Sequence, residues 1–244
     1  MRSYRDLLFV VLIGFSIPAY ADDLCENNLE VIYHERIPYV VNANGTLEGL
    51  TATPAVAAFD KSNIKVDWKQ TPVKRQLKII KNNSKCICSI GWFKNPEREK
   101  FARYSTPIYQ DKPQVAITSA NNRGLTSGET LAKVLKNFRL TLLIKDGYSY
   151  GKFIDENIEK YKPTTHKVVY GNLKMLSLIY HQRYDYFFIA PEEVDTLVNT
   201  SEFKLKDFKV IKFKDMPEGE KRYILCSMKV PEKTILKLNA NIAN

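Results

Sequence analysis

Arg98 is the residue whose type and surroundings most clearly predict chemistry. It lies in a short segment, 95–99, in which Asn95 and Pro96 predict the start of a helical turn. A guanidinium group binds a carboxylate through two parallel hydrogen bonds, and the free N–H groups of a helix start add donors. The segment therefore predicts a site for a small anion. The alternative is that Arg98 only forms surface ion pairs with Glu97 and Glu99.

The remaining reactive side chains do not predict an enzyme. The three histidines, His34, His166 and His181, are far apart, and none lies in a hydrolase or zinc-protease motif. The sequence also lacks a phosphate-binding loop, a dinucleotide fingerprint and the paired spacing of zinc ligands. We therefore expect no catalytic residues, metal or cofactor.

Residues 1–21 have the pattern of a signal peptide. Arg2 and Arg5 precede an apolar run over 7–17, and a small-x-small triplet ends at Ala21. The run is shorter than the roughly 20 apolar residues that span a bilayer. We expect cleavage after Ala21 and export to the periplasm; an uncleaved membrane anchor is the alternative.

Export determines how the four cysteines are interpreted. In an oxidising compartment, disulfide bonds are expected rather than catalysis or zinc binding. Cys86 and Cys88 flank one residue of a predicted strand, so their side chains point to the same face. Adjacent thiols on one face bond poorly to each other. Each is expected to bond to Cys25 or to Cys226, with the pairing left open.

Composition and charge narrow the functional classes. The chain has 244 residues, 44% of them hydrophobic and 26% charged, which is typical of a globular protein and excludes a disordered or polytopic membrane protein. Its net charge of +10 favours anionic partners. The basic residues are spread along the chain instead of forming a patch with exposed aromatics, so no nucleic-acid binding is expected.

Strand and helix patterns alternate through the rest of the chain. The helices are indicated by Pro or Thr starts and by apolar residues at intervals of three and four, and a capping box is predicted at Thr126–Glu129. Strands are predicted at 29–33, 64–68, 86–91, 115–119, 140–144, 167–170, 186–189, 210–213 and 223–228. Helices are predicted at 55–59, 73–80, 95–99, 131–138, 153–161, 173–180, 191–198 and 231–238. This order predicts an α/β protein with two lobes, each a mostly parallel sheet flanked by helices.

Several segments, in their order and spacing, resemble the periplasmic solute-binding proteins of the polar-amino-acid type (family 3). They are the opening 29–39 with Glu35 and Pro38-Tyr39, the Gly45-x-x-x-Gly49 motif, the helix start 72–77, the segment 96–109 and the turn 146–150. The resemblance implies the type II periplasmic-binding fold, with two lobes joined by two hinge strands. Lobe 1 would comprise 22–114 and 212–244, and lobe 2 would comprise 115–211. Both chain ends then lie in lobe 1, where Cys226 can reach the Cys86–Cys88 strand.

The same resemblance assigns roles to individual residues. Arg98 would hold the ligand carboxylate, and Ser149 would approach it from the second lobe, unless Ser149 is a plain helix cap. Glu35, Tyr39 and Trp92 would line the first lobe's wall, although core packing also accounts for the two aromatic residues. Ligands with an acid group and an aromatic or apolar body would also suit Phe93 and Tyr148.

Two positions depart from the family pattern. Phe93 stands where amino-acid binders carry Ser or Thr, and Ala190 stands where they carry the Asp that holds an α-ammonium group. Glu192 could replace that Asp through a shift of two residues, or be an ordinary acidic residue of a first helical turn. Recognition of a standard α-amino acid is therefore left open.

The sequence thus predicts a monomeric binding protein for a small carboxylate-bearing solute, an amino acid or a related organic acid. Its partner would be an inner-membrane permease of the ABC type. One alternative is a prephenate- or arogenate-type dehydratase on the same scaffold, with Glu35 as the acid. The other is a ligand-sensing partner of a membrane receptor.

Overall fold

The computed structural model of the protein describes Cys25 and residues 29–242. The predicted signal peptide and its cleavage site after Ala21 lie outside these residues. Within the described part of the chain, none of the helices is both long enough and apolar enough to cross a membrane.

Strands and helices alternate along the described chain. The strands are β1 (Leu29–Tyr33), β2 (Val41–Ala43), β3 (Thr46–Glu48), β4 (Val66–Gln70), β5 (Ile87–Phe93), β6 (Ala102–Gln110), β7 (Val115–Ser119), β8 (Leu142–Lys145), β9 (Thr165–Val168), β10 (Tyr186–Ile189), β11 (Phe208–Ile211) and β12 (Lys221–Ser227). The helices are α1 (Ala52–Lys61), α2 (Val73–Asn82), α3 (Pro96–Glu99), α4 (Leu131–Leu135), α5 (Lys152–Tyr161), α6 (Asn172–Tyr180), α7 (Pro191–Asn199) and α8 (Glu232–Asn239).

Two five-stranded sheets form the two lobes. The first lobe has the strand order β4-β1-β5-β12-β6, in which β1 is parallel to β4 and β5, and β12 is antiparallel to β5 and β6. The second has the order β11-β7-β10-β8-β9, in which β8 is parallel to β9 and β10, and β7 is antiparallel to β10 and β11. The predicted two-lobed α/β class is confirmed, with both sheets mixed.

The chain crosses between the lobes twice, at 111–114 and at 212–220. The two crossings lie side by side, because the Asp111 amide donates a hydrogen bond to the Glu220 carbonyl oxygen at 3.0 Å. Gly219 packs directly on the backbone of Asp111 and Lys112, where a Cβ atom would overlap the Asp111 carbonyl group. The predicted lobe limits, 114/115 and 211/212, stay a prediction.

Most predicted elements exist, and β1 and β10 coincide with the predicted ranges. The capping box at Thr126–Glu129 is wrong. Helix α4 begins at Leu131 and is capped by Thr130, whose hydroxyl oxygen accepts a hydrogen bond from the Lys133 amide at 3.2 Å. Gly128, with φ of +87°, turns the chain between the two residues of the expected box. Phe138 is exposed instead of completing the apolar stripe.

Three strands are absent from the sequence prediction. Strands β2 and β3 form a short antiparallel hairpin, whose turn residues Asn44 and Gly45 both have positive φ. This dipeptide is a recognised hairpin signal. Strand β6 contains several residues that favour strands, but Pro107 interrupts it, and its apolar residues do not alternate with polar ones.

The four described cysteines form two disulfides, Cys25–Cys86 and Cys88–Cys226. Cys88 and Cys226 are direct cross-strand neighbours on β5 and β12, and both are fully buried in the first lobe's core. The expectation that Cys86 and Cys88 bond to different partners agrees with this arrangement.

Replacing Cys88 and Cys226 together by alanine should lower the free energy of unfolding by about 2–5 kcal/mol. This disulfide joins buried side chains 138 residues apart. The double variant at Cys25 and Cys86 should lose less, because the loop spans 61 residues. Urea denaturation of both variants and the wild type measures the difference. A larger loss in the second variant would contradict this ranking.

Candidate functional site

A small pocket that is partly open to solvent lies between the two lobes. Most of its wall comes from the first lobe, where the chain leaves β1 and β5 and enters α3. The facing wall is the turn after β8 in the second lobe. The lining residues are His34, Arg36, Val73, Ile90, Gly91, Trp92, Phe93, Arg98, Gly147, Tyr148, Ser149 and Arg222.

Arg98 is buried in this pocket. Helix α3 positions it, since the Asn95 side chain caps the helix by accepting a hydrogen bond from the Arg98 amide at 2.9 Å. The Arg98 Nη1 atom donates to the Phe93 carbonyl oxygen at 3.0 Å, and the guanidinium carbon lies 4.9 Å from the centre of the Trp92 ring. Burial lowers the pKa of Arg98 from its ordinary value. Its charge is therefore held in a poorly solvated place.

No carboxylate of the described residues forms an ion pair with Arg98. Its sequence neighbours have other partners, because Glu97 pairs with Lys100 at 2.6 Å and Glu99 pairs with Lys94 at 3.0 Å. Asp155 is the acidic group that acts on Arg98 through its charge, without a direct contact. The guanidinium group therefore has donor capacity left for an anion.

A second arginine of the pocket, Arg222 on β12, has a buried partner. Its Nε and Nη2 atoms donate to the two carboxylate oxygens of Asp111, both at 2.6 Å, and its Nη1 atom donates to the Gly91 carbonyl oxygen at 3.0 Å. The guanidinium carbon lies 4.0 Å from the Tyr39 ring centre and 4.4 Å from that of Phe93. This pair is local to the first lobe and its crossing segment.

A third arginine, Arg36, spans the cleft. Its Nε and Nη2 atoms donate to the Glu193 carboxylate of α7 at 2.8 and 2.6 Å, which joins the loop after β1 to the second lobe. Burial alone would lower the pKa of Arg36, but the Glu193 carboxylate more than offsets this, so the pKa lies above its ordinary value. The Glu193 side chain is only 4% exposed. Sequence reasoning predicted neither residue.

His34 lies beside these cations, on the first lobe's wall. Its Nε2 atom is buried and has no hydrogen-bond partner among the described residues. Burial, together with the nearby charges of Arg36, Lys145 and Arg222, lowers the pKa of His34 to about 3. The imidazole is therefore neutral at physiological pH, and His34 lines the pocket with one nitrogen that has no partner among the described residues.

The second lobe contributes Tyr148 and Ser149. The Lys145 ammonium group lies 4.2 Å from the centre of the Tyr148 ring. The Ser149 hydroxyl donates to the Asp155 carboxylate, which also accepts a hydrogen bond from the Tyr150 amide at 2.9 Å. The Ser149 hydroxyl proton is therefore used within the turn that precedes α5. Burial raises the pKa of Asp155.

Five of the eight predicted ligand-binding residues line the pocket, and three do not. The five predicted residues that line the pocket are Trp92, Phe93, Arg98, Tyr148 and Ser149. Glu35 is exposed and faces an adjoining cavity. Tyr39 is buried behind Arg222. Glu192 accepts hydrogen bonds from the Tyr109 hydroxyl at 3.1 Å and from the Lys112 amide at 2.7 Å, so it attaches α7 to the first crossing.

The pocket has the chemistry of an anion site. Among the described residues, its lining includes three guanidinium groups and no carboxylate. Asp111 pairs with Arg222, and Glu193, which lines the adjoining cavities, pairs with Arg36. Arg98 therefore leaves one positive charge unbalanced in a buried position. Aromatic and aliphatic side chains cover the rest of the wall and can contact an apolar ligand body.

The chain is similar to known proteins in its sequence profile and in its architecture. The sequence profile of the bacterial extracellular solute-binding proteins, family 3, matches residues 29–224. No curated protein is similar enough in sequence to count as a match.

Solved structures share the fold at low sequence identity. An ancestral arginine-binding protein bound to arginine has a TM-score of 0.68 and 16% identity, covering 88% of this chain and 91% of its own. A structure from work on glutathione import via GshT and the cystine ABC importer TcyBC of Streptococcus mutans has a TM-score of 0.69 and 12% identity, covering 88% and 87%. The ancestral amino acid-binding protein AncCDT-1, a precursor of cyclohexadienyl dehydratase, has a TM-score of 0.66 and 14% identity, covering 91% of each chain.

The buried His34 should make the stability of the protein depend on pH. The pKa of about 3 in the folded state lies below the ordinary 6.5, so the unfolded chain binds the extra proton between these values. Stability is therefore expected to fall as the pH drops below 6.5, by at most about 1.4 kcal/mol per pH unit from this residue. Urea denaturation of the wild type and His34→Asn at pH 7 and pH 5 measures the contribution.

The variant should lose less stability than the wild type over this interval. His166→Asn, at an exposed position, is the matched control and should keep the slope of the wild type. Equal slopes for the wild type and His34→Asn would show that His34 does not resist protonation.

Proposed function

Because this chain belongs to the bacterial extracellular solute-binding proteins, family 3, we propose that it binds a small carboxylate-bearing solute in the cleft between its lobes. The observation that carries this proposal is the buried Arg98 guanidinium, which lines the interlobe pocket and has no ion-pair partner among the described residues. A buried cation of this kind is stabilised by an anion that forms charge-assisted hydrogen bonds with it.

The surroundings of Arg98 support a fixed orientation of the ligand. The guanidinium plane is held by the Phe93 carbonyl oxygen and by the Trp92 ring. Trp92 is itself fixed, because its Nε1 atom donates to the Ser89 hydroxyl at 2.6 Å. A pre-organised guanidinium group loses little conformational entropy when it binds a carboxylate.

The rest of the pocket suits an apolar or aromatic ligand body. Val73 and Ile90 join the aromatic residues of the wall, and Tyr148 faces them from the second lobe. Contact with both lobes is the feature that allows a ligand to favour the closed arrangement. The ligand would be an amino acid or a related organic acid.

One structural neighbour suggests a partner for this protein. The Streptococcus mutans neighbour comes from work on an ABC importer. We extend this to uptake here: a periplasmic monomer that delivers its ligand to an inner-membrane permease. A sensing role with a membrane receptor shares the same ligand chemistry, and the genes beside the coding sequence would distinguish the two by the presence or absence of a permease.

The dehydratase alternative has less support. It needs a carboxylic acid beside the ligand, and Glu35, the predicted acid, is exposed and lies outside the lining of the Arg98 pocket. One structural neighbour is a precursor of a dehydratase, but that neighbour is itself described as an amino acid-binding protein. Binding without turnover is therefore the function that we propose.

Arg98→Ala should weaken carboxylate binding by about tenfold to a hundredfold, since a charge-assisted contact contributes roughly 1.5–3 kcal/mol. A thermal-shift screen of amino acids, organic acids and aromatic acids would identify a ligand, and titration calorimetry would measure its affinity. Arg98→Lys should retain part of the affinity because it keeps the charge.

Arg123→Ala is the matched control, since Arg123 is exposed and outside the pocket. It should bind as the wild type does. Unchanged affinity in a folded Arg98→Ala variant, or a screen in which no carboxylate binds, would contradict the proposed function.

A further inference from the structure

We propose that the cleft selects carboxylates without an amino group, and that the Arg36–Glu193 ion pair is the device that excludes amino acids. This inference rests on the proposed function, because it concerns the second polar group of the same ligand. It departs from the structural neighbours, which include proteins solved with arginine and glutamine.

An α-amino acid has an ammonium group next to its carboxylate. A buried ammonium group needs a carboxylate or several hydrogen-bond acceptors, because it has three donors and no acceptor. The charged groups that line the pocket are instead three guanidinium groups, those of Arg36, Arg98 and Arg222. Glu193 and Asp111 balance two of these charges, and the ligand carboxylate would balance Arg98, so an ammonium group would be an additional cation without a counter-charge.

Glu193 is the carboxylate best placed to bind a ligand ammonium group, but it already binds Arg36. Both of its oxygens accept hydrogen bonds from Arg36, and Asn172 adds a third at 3.4 Å. Arg36 is also fixed at its backbone, which exchanges two hydrogen bonds of 2.9 Å with Val40. A ligand ammonium group would have to displace a bidentate guanidinium group from a nearly buried partner.

The other acidic groups near the cleft do not replace Glu193. Asp111 is bonded through both oxygens to Arg222, and Asp155 accepts hydrogen bonds from Ser149 and Tyr150. Glu35 is exposed and faces the adjoining cavity. The chain therefore offers no free carboxylate at the walls of the pocket within its described residues.

The unsatisfied nitrogen of His34 fits a neutral group. Burial, together with the charges of Arg36, Lys145 and Arg222, lowers the pKa of this imidazole, and the same charges disfavour a cation beside it. A hydroxyl group of a ligand can donate to or accept from a neutral imidazole. The pocket therefore suits a hydroxy acid, in which a hydroxyl group stands in place of the amino group.

Matched pairs of ligands test this selection directly. L-lactate and L-alanine, L-malate and L-aspartate, and L-phenyllactate and L-phenylalanine differ only in the hydroxyl or amino group. Titration calorimetry, with Trp92 fluorescence as a second readout, should show each hydroxy acid that binds to be at least about tenfold tighter than its amino-acid counterpart. Equal or tighter binding of the amino acids would overturn this inference.

Variants at Arg36 and Glu193 test whether their ion pair causes the preference for hydroxy acids. Arg36→Met frees the Glu193 carboxylate and should shift the preference by about tenfold toward the amino acid. The double variant Arg36→Met/Glu193→Gln opens the same space without the carboxylate and should keep the preference of the wild type. A shift of equal size in both variants would assign selection to space and not to charge, and would contradict the proposed role of the pair.

The inference and the proposed function fail in different ways. Preference of the wild type for amino acids, with binding still lost in Arg98→Ala, would refute the inference and leave the proposed function in place. Unchanged binding of all six compounds in Arg98→Ala would refute the proposed function itself.

Discussion

The balance of charge around the cleft is the constraint on which the site depends. A guanidinium group is costly to bury without an anion, and three of them meet at this pocket. Two have bidentate carboxylate partners, Arg36 with Glu193 and Arg222 with Asp111. Arg98 has no such partner among the described residues, so its charge is not balanced by a carboxylate of the protein. The carboxylate of the proposed ligand would supply the missing counter-charge, so that binding would also stabilise the charge of Arg98.

The fold delivers these groups from distant parts of the chain. The ends of two parallel strands, β1 and β5, place His34 and Trp92 at one edge of the first sheet, while β12 runs antiparallel between β5 and β6 and brings in Arg222. The second lobe closes the pocket with the turn after β8. Trp92 packs in a core of first-lobe residues, and Tyr150, beside the facing turn, packs against a different core, so the two walls are held by different cores.

Much of the fold could be predicted because periodic apolar residues and helix starts are local signals, as at β1, β10 and α3. Arg98, Trp92 and Phe93 could also be predicted together, since they lie within seven residues of one another. The two pairs of arginine and carboxylate could not be predicted from the sequence. Arg36 and Glu193 are 157 residues apart, and Arg222 and Asp111 are 111 apart, so only the tertiary fold determines which charge meets which. Strand β6 was not predicted, because Pro107 interrupts its sequence pattern.

The contact between the two crossing segments has a mechanical consequence. Gly219 lies so close to the Asp111 carbonyl group that no side chain fits between the two segments. Asp111 is also the partner of Arg222, so this wall charge is bonded to a crossing segment and not to the opposite lobe. Separation of the lobes would therefore break the Arg36–Glu193 pair and leave the Arg222–Asp111 pair intact. Arg222 would then present its charge to arriving solutes in both arrangements.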